Sequence, residues 1–468
     1  MPRLLRFAVF VFLMLNTRIA FAACHAVSPS GSGSNSGADW NNAYAGIPAT
    51  LIRGDVYYLA DGSYGTYTFS TPTSGTATVE IRKAQSYDNC TSTGWNTATM
   101  GSSQAVFSGT TPFTVATSYV TVNGNGQQTT PGCGGIPSAY NAAGSAGTTP
   151  TDCGIRAVTT DTSSDIVFRL NSGATNVTEK YVELVGTGIN SADSNALTAE
   201  FGGNGGFVAD HIFGRNAACM YFSALAFQHT VENSYFWWIQ SSPNNCHPEY
   251  NLMANGGSNT SSTPINEFNN IYRDMSGTST FASVSSGNIW INIWDNVFMC
   301  SSTGCNGTGN DDGIMWCGNS TNCVVNFYQN TLVNLTGGND NGLVTNASSS
   351  GSLSGNAKNN LIYNTVNSTM ISSGIAQSNN TWINSAGVSG TNNVIITSGA
   401  SIPFVDVANG DFTLVADSAN YDNRIALTGV YNTDAAGNTF TTDRGAYQFA
   451  GTQAPAPQPP SGLTATVQ

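Results

Sequence analysis

At 468 residues the chain is about three times the length of a usual single domain, yet only 9% of it is charged. Its 14 basic residues against 27 acidic ones give a net charge of −13, which excludes a general nucleic-acid binder because nothing neutralises a phosphate backbone. Coiled coils and bundles need helix formers at helical spacing, and a composition that is 40% hydrophobic and 10% aromatic buries a core too readily for disorder.

In chain order, residues 1–22 read as a secretory signal peptide. Arg3 and Arg6 open it, Phe7–Leu15 is apolar, and Ala20-Phe21-Ala22 offers small residues at a cleavage site. The run is too short for a membrane span. Ala22-Ala23-Cys24 also loosely resembles a lipoprotein acceptor, with Phe21 where that signal prefers Leu. The 10 Cys that follow, an even number, suit an oxidising compartment. Close pairs suggest Cys300–Cys305, Cys317–Cys323, Cys133–Cys153 and Cys219–Cys246, leaving Cys24 and Cys90 by elimination; spacing alone does not settle connectivity.

Beyond the leader a short phrase recurs: a polar residue, usually Asn, then two to four apolar or β-branched residues. It stands at Asp210, Asn233, Asn270, Asn296, Asn330, Asn360 and Asn380. A minimum spacing near 20 with irregular excess describes a coil that tolerates insertions. Two or three short strands per coil, separated by Asn and Gly turns, predict an all-β, single-stranded right-handed parallel β-helix (a solenoid) with N- and C-terminal caps. Coils stack about 4.8 Å apart, apolar side chains fill the interior, and recurring Asn forms a ladder at a turn. Stacking like on like explains the shortage of charge. The stretch Arg53-Gly-Asp55 through Asp61-Gly-Ser-Tyr64 resembles the first coil of pectate-lyase-like β-helix proteins. Gly410-Asp-Phe-Thr-Leu414 and Asp443-Arg-Gly-Ala-Tyr447-Gln-Phe449 resemble the closing segment of secreted bacterial right-handed β-helix repeat proteins. That superfamily includes lyases, hydrolases, epimerases and non-catalytic surface proteins, so the resemblance implies fold more than activity.

Chemistry-bearing residues collect in 207–345. His247-Pro-Glu249 precedes one strand-like stretch and Asn310-Asp311-Asp312-Gly313 opens another. With one coil between them, Glu249 and Asp312 share a column two coils, roughly 9–10 Å, apart. That is near the separation of an inverting glycosidase pair, about 6.5–9.5 Å, in which one carboxylic acid protonates the leaving oxygen and the other activates water. The Asp-Asp segment resembles that of polygalacturonase-type glycoside hydrolases, without their Gly-His-Gly and Arg-Ile-Lys segments. It reads alternatively as an Asx-type turn or a cation site; the sequence names no cofactor, and calcium is the one candidate ion. A lyase would instead use Arg215 or Lys180 as the cation, with His211 or His247 as base. Trp290, Trp294 and Trp316, with Tyr250, are candidate sugar-stacking residues, although Trp at alternate strand positions also fills cores.

The expected domains are the signal peptide 1–22, the β-helix with its caps at 23–450, and a Pro-rich tail at 451–468 whose Ser461–Val467 resembles the start of a fibronectin type III module. The expected activity is polysaccharide binding and cleavage outside the cell, with hydrolysis favoured over β-elimination. The candidate catalytic residues are His247, Glu249, Asp311, Asp312, His211 and Arg215. The protein is expected to act as a monomer, with no nucleic-acid partner. The rival is a non-catalytic surface or adhesion protein.

Overall fold

A computed structural model describes residues 22–449 except 130, 134–151, 163–165, 188–195, 201–204, 218–219, 224–227, 240–248, 254–257, 276–278, 284–286, 301–313, 319–321, 336–343, 347–350, 366–373, 386, 388, 408–409, 416–420 and 441. Among the described residues, three long sheets hold 13, 12 and 9 strands, and every strand pairing within them is parallel. From Val56 to Asn346 each coil contributes a strand to the first sheet, turns into the second, then runs to the third. One coil comprises Ile265–Phe268, Ile271–Met275 and Ser279–Ser283; the next begins at Asn288–Trp294. This is the expected right-handed parallel β-helix. Among the described residues no helix is long and apolar enough to cross a membrane.

The turn between the first and second sheets explains the recurring Asn. Its first residue is left-handed in coil after coil: His211, Asn233, Asn269, Asp295, Gln329, Asn359 and Asn379 all have φ between 51° and 61°. Asn and Asp tolerate that region because their short side chains bond locally. The second residue forms a buried ladder. The backbone N–H of Asn270 donates to Asn296 Oδ1, that of Asn296 to Asn330, that of Asn330 to Asn360, and that of Asn360 to Asn380, at 2.9–3.0 Å. Each Nδ2 donates back to a carbonyl, as from Asn330 to Ile293 at 2.9 Å. The recurring phrase therefore needs one correction. Asn233 sits one position before the ladder and Asp210 two before it, so Ser234 and Ile212 occupy the ladder column in those coils: Ser234 N–H donates to Asn270 Oδ1, and Ile212 N–H donates to the Ser234 hydroxyl. Asn330→Ala is expected to cost about 2–4 kcal/mol, because it leaves the buried Asn296 N–H and Ile293 carbonyl unpaired; chemical denaturation measures it.

Alternation places every second residue of the first sheet inside. One interior row reads Ile81, Val122, Glu179, Ala209, Val231, Glu267, Ile293, Phe327 and Ala357, all 0% exposed. Full burial of each apolar member contributes about 1.5–3 kcal/mol for the larger side chains; the two glutamates are exceptions.

A second apolar layer lies outside the helix, over the second sheet. Phe213, Tyr235, Ile271, Val297 and Leu361 pack there with Phe404, Phe412, Leu414 and Ala446. Arg444 fastens this C-terminal segment across coils, donating to the carbonyls of Asn380, Asn392 and Asn423 and to the Thr381 hydroxyl. At the other end Arg53 plays the same part on the carbonyls of Thr71, Pro72, Ala77, Ser118 and Tyr119.

Bridges join Cys133 to Cys153 and Cys317 to Cys323, as the spacing suggested, and Cys24 to Cys90, the pair left by elimination. Cys300 is also bridged, while Cys219, Cys246 and Cys305 lie outside the described residues.

Candidate functional site

The outward-facing residue at the end of each first-sheet strand, just before the turn, forms one continuous column. In order along the helix it reads Lys180, Asp210, Glu232, Phe268, Trp294, Tyr328 and Lys358. Charge thus occupies three consecutive coils and aromatic rings the next three. Phe268 and Trp294 stack at 4.2 Å with their planes 10° apart. Because Trp294 covers one face of Phe268, the other face is turned toward the Glu232 coil. Two residues earlier on each strand, Asn266, Asn292, Asn326 and Asn356 form a second, outward amide ladder.

A groove of about 840 Å³ opens over this column. Its floor is Glu232, Phe268 and Trp294, with Thr230 and Asn266 beside them. The turn residues Asn233, Asn269 and Asp295 form its edge, and Val430 and Thr433–Gly437 of the C-terminal segment rise as its wall.

Asp210 and Glu232 are register partners on neighbouring coils, so their backbones stand about 4.8 Å apart. Their environments pull them in opposite directions. Burial, reinforced by the charge of Asp210 and opposed by His211, pushes the Glu232 carboxyl up to about 7. Burial acts on Asp210 in the same sense but is outweighed. His211 Nδ1 lies 2.6 Å from its Oδ1, Asn233 Nδ2 donates to the same oxygen at 2.9 Å, and Lys180 adds a positive charge. Asp210 is therefore held below the ordinary carboxylate value. A carboxylic acid beside a carboxylate is the arrangement that divides acid and nucleophile roles between two like groups. Asp295, at the groove edge, is pushed well up by burial, with Gln329 Nε2 donating to it at 2.8 Å.

The predicted residues divide sharply. His211 reaches this site: it is left-handed at φ 53°, stacked on Tyr181 at 4.5 Å and bonded to Asp210. Trp290 and Trp294 both face outward, on the same strand face as Asn292. Trp294 is nonetheless only 5% exposed, because Phe268 and Tyr431 pack against it. Arg215 lies elsewhere. Four residues past His211, it has crossed the turn onto the second sheet, where its Nε and Nη2 both sit 2.8 Å from Glu183 Oε1 in a buried ion pair. Tyr250 is also misplaced by the sequence reading: it is wholly interior, edge-on to Phe236 and Tyr272. Trp316 is partly buried in the third sheet, and its indole Nε1 is enclosed without a partner among the described residues. Glu249 begins the third-sheet strand Glu249–Met253, with Ser279–Ser283 between it and Met315–Cys317. His247, Asp311 and Asp312 lie outside the described residues. Among the described residues no three His, Cys, Asp or Glu side chains converge as a metal site.

Glu232 escaped the sequence reading. The signal was present in the coil alignment: Asp210-His211-Ile212 and Glu232-Asn233-Ser234 occupy the same three positions before and within the turn. Aligning on Asn, instead of on the left-handed residue, hides the match.

No family profile and no curated protein sequence matches the chain. Solved structures do. The pectate lyase Pel9A is 13% identical and superposes with a TM-score of 0.53, over 92% of this chain and 97% of its own. The PL6 family alginate lyase AlyGC, 12% identical, reaches 0.36 over 78% of this chain and 53% of its own. A PL6 family polysaccharide lyase from Pseudopedobacter saltans, also 12% identical, reaches 0.34 over 79% and 91%. The chain has the parallel β-helix fold of pectate-lyase-like proteins.

Proposed function

We propose that the chain is a secreted protein that binds a polysaccharide and hydrolyses it in the groove at Glu232. The observation that carries this reading is the Asp210–Glu232 step, two carboxyl groups on adjacent coils whose proton affinities are driven apart. Phe268 supplies a ring face beside Glu232, and the amides of Asn266 and Asn269 can both donate to and accept from sugar hydroxyls. The leader and the disulfide bridges suit a destination outside the cell.

In the reaction, Glu232 in its acid form protonates the glycosidic oxygen as the bond to the anomeric carbon breaks. Asp210 attacks that carbon and forms a glycosyl ester. Water then displaces Asp210, surrendering a proton to the Glu232 carboxylate, so one water is consumed and both groups are restored. The coil step matches the close carboxylate pair of a retaining enzyme, about 5–5.5 Å, better than the wider pair of an inverting one. His211 and Asn233 orient Asp210 through its Oδ1.

A second reading, β-elimination, is favoured by Lys180, one coil before Asp210 in the same column, and by the fold shared with Pel9A. A panel of xylan, arabinan, polygalacturonate and alginate separates the two. Hydrolysis releases reducing ends without an ultraviolet-absorbing product, whereas elimination produces the unsaturated sugar. Comparing Glu232→Gln with Glu249→Gln and Asp312→Asn locates the site: loss in the first alone supports the groove, and loss only in the other two moves the chemistry to Glu249 and Asp312. Silence of the wild-type protein across the panel would favour the non-catalytic adhesion reading.

A further inference from the structure

The groove is closed at one end. Past Trp294, the Tyr431 ring packs edge-on against both Trp294, at 5.2 Å, and Tyr328, at 5.1 Å, bridging two coils of the aromatic column. The same segment continues as Thr433–Gly437 along the turn side of the groove.

This segment is braced in place. Arg424 donates from Nη2 to the Tyr431 carbonyl at 2.8 Å and also to Gln329 Oε1, while its guanidinium lies 4.2 Å from the Phe440 ring centre. Gln329 in turn donates to Asp295 at the groove edge. Asp434 ties the next turn together, accepting from the backbone of Ala436, Asn438 and Gln448. A chain of contacts therefore runs from the groove edge through Gln329 and Arg424 to the ring that closes the groove. In the opposite direction the column continues over Asp210 and Lys180, both only partly buried.

From Glu232 to Trp294 is two coil steps, about 10 Å, the length of about two pyranose rings. We infer that the protein attacks chain ends, with Tyr431 as the residue that sets this mode. The inference rests on the proposed polysaccharide-cleaving activity at Glu232. The polymer enters over Lys180 and Asp210, its terminal one or two sugars lie between Glu232 and Tyr431, and the product is a mono- or disaccharide. An internal stretch of polymer cannot lie across Glu232, because its continuation meets Tyr431 and the Thr433–Gly437 wall. Tyr431 touches no reacting atom; it sets how much of the chain can pass.

The test follows product length and viscosity through a time course, using the full chain and whichever of xylan, arabinan, polygalacturonate or alginate it degrades. Mono- or disaccharide as the main product from the first time point, with viscosity nearly unchanged while the first few per cent of linkages are cut, is the expected result. In Tyr431→Ala, and more weakly in Arg424→Ala, longer oligosaccharides should rise at least threefold as a share of early product. A ladder of long oligosaccharides from the wild-type protein, with early loss of viscosity, overturns end attack while leaving the cleavage reading intact. So does a folded Tyr431→Ala with wild-type product lengths. Absence of turnover on all four polymers overturns both readings together.

Discussion

Glu232→Gln is expected to lower kcat about 10²–10⁴-fold on an unactivated polysaccharide, the usual contribution of a positioned general acid. Glutamine keeps the shape and hydrogen-bonding reach of the side chain but cannot deliver a proton. The loss should shrink to within about tenfold on an aryl glycoside whose leaving group departs without protonation; an equal loss on both substrates argues against an acid role. The position is partly exposed on the outer strand face, so the variant's stability should remain within about 0.5 kcal/mol of wild type. The pH profile supplies a second readout. Glu232 must hold its proton and is pushed up to about 7, so kcat/KM should fall about tenfold per unit as pH rises above that value. Asp210 must be ionised and is held below the ordinary carboxylate value, so activity should persist on the acid side to below that value. Removing Glu232 should abolish the alkaline limb. If that limb persists unchanged in the residual activity of Glu232→Gln, it belongs to another group and the acid assignment fails.

The second large effect concerns stability and arises inside the helix. Glu179 is wholly buried in the interior row. Thr198 is positioned to donate to its Oε1 at 3.4 Å, while Oε2 has no partner among the described residues. Burial pushes its carboxyl up to about 8, against an ordinary value of 4.5. Between those two values the folded chain holds a proton that the unfolded chain has released. Its contribution is therefore fully present below pH 4.5 and is lost as pH rises toward 8, at up to about 1.4 kcal/mol per unit and on the order of 5 kcal/mol in all. Glu179→Gln keeps a neutral side chain of the same size at every pH and should flatten this dependence. The comparison is urea unfolding of both proteins from pH 5 to pH 8. Every other titrating group is common to both proteins, so the difference isolates Glu179. Parallel curves would show that Glu179 is ionised in the folded protein or hydrated within it.

The two glutamates show where sequence reasoning stops. Glu179 and Glu232 both lie in first-sheet strands that do not alternate cleanly between apolar and polar residues: Val177-Thr-Glu-Lys and His229-Thr-Val-Glu. Period-two counting assigns opposite faces to alternate residues but does not say which face is inside when polar residues occupy both. The structure puts Glu179 inside and Glu232 outside. The reading of Arg215 beside His211 failed for a related reason. The left-handed residue at the turn sends the chain into another sheet, so sequence neighbours four apart end on different walls of the helix. Trp294 shows a third limit: its strand face was legible, but its cover by Tyr431 comes from 137 positions further along the chain.

What the sequence determined by itself was the coil: Asn at recurrent turns, short apolar strands between them, and so little charge that like could stack on like. These are local and repeated, and parallel stacking at one coil per step carries them directly into the fold. Even the cysteine pairs with short spacing, Cys317–Cys323 and Cys133–Cys153, followed from it. Only the tertiary structure decided the groove. Which residues share a column depends on the exact length of every intervening coil, and irregular insertions erase that from the sequence. The wall that makes the column a site arrives from the C-terminal segment, braced by Arg424 and Asp434. The low charge first marked this chain as a stacked β protein, and the fold shows why its exceptions matter: Asp210 and Glu232 are carboxyl groups on adjacent coils whose surroundings drive their proton affinities apart.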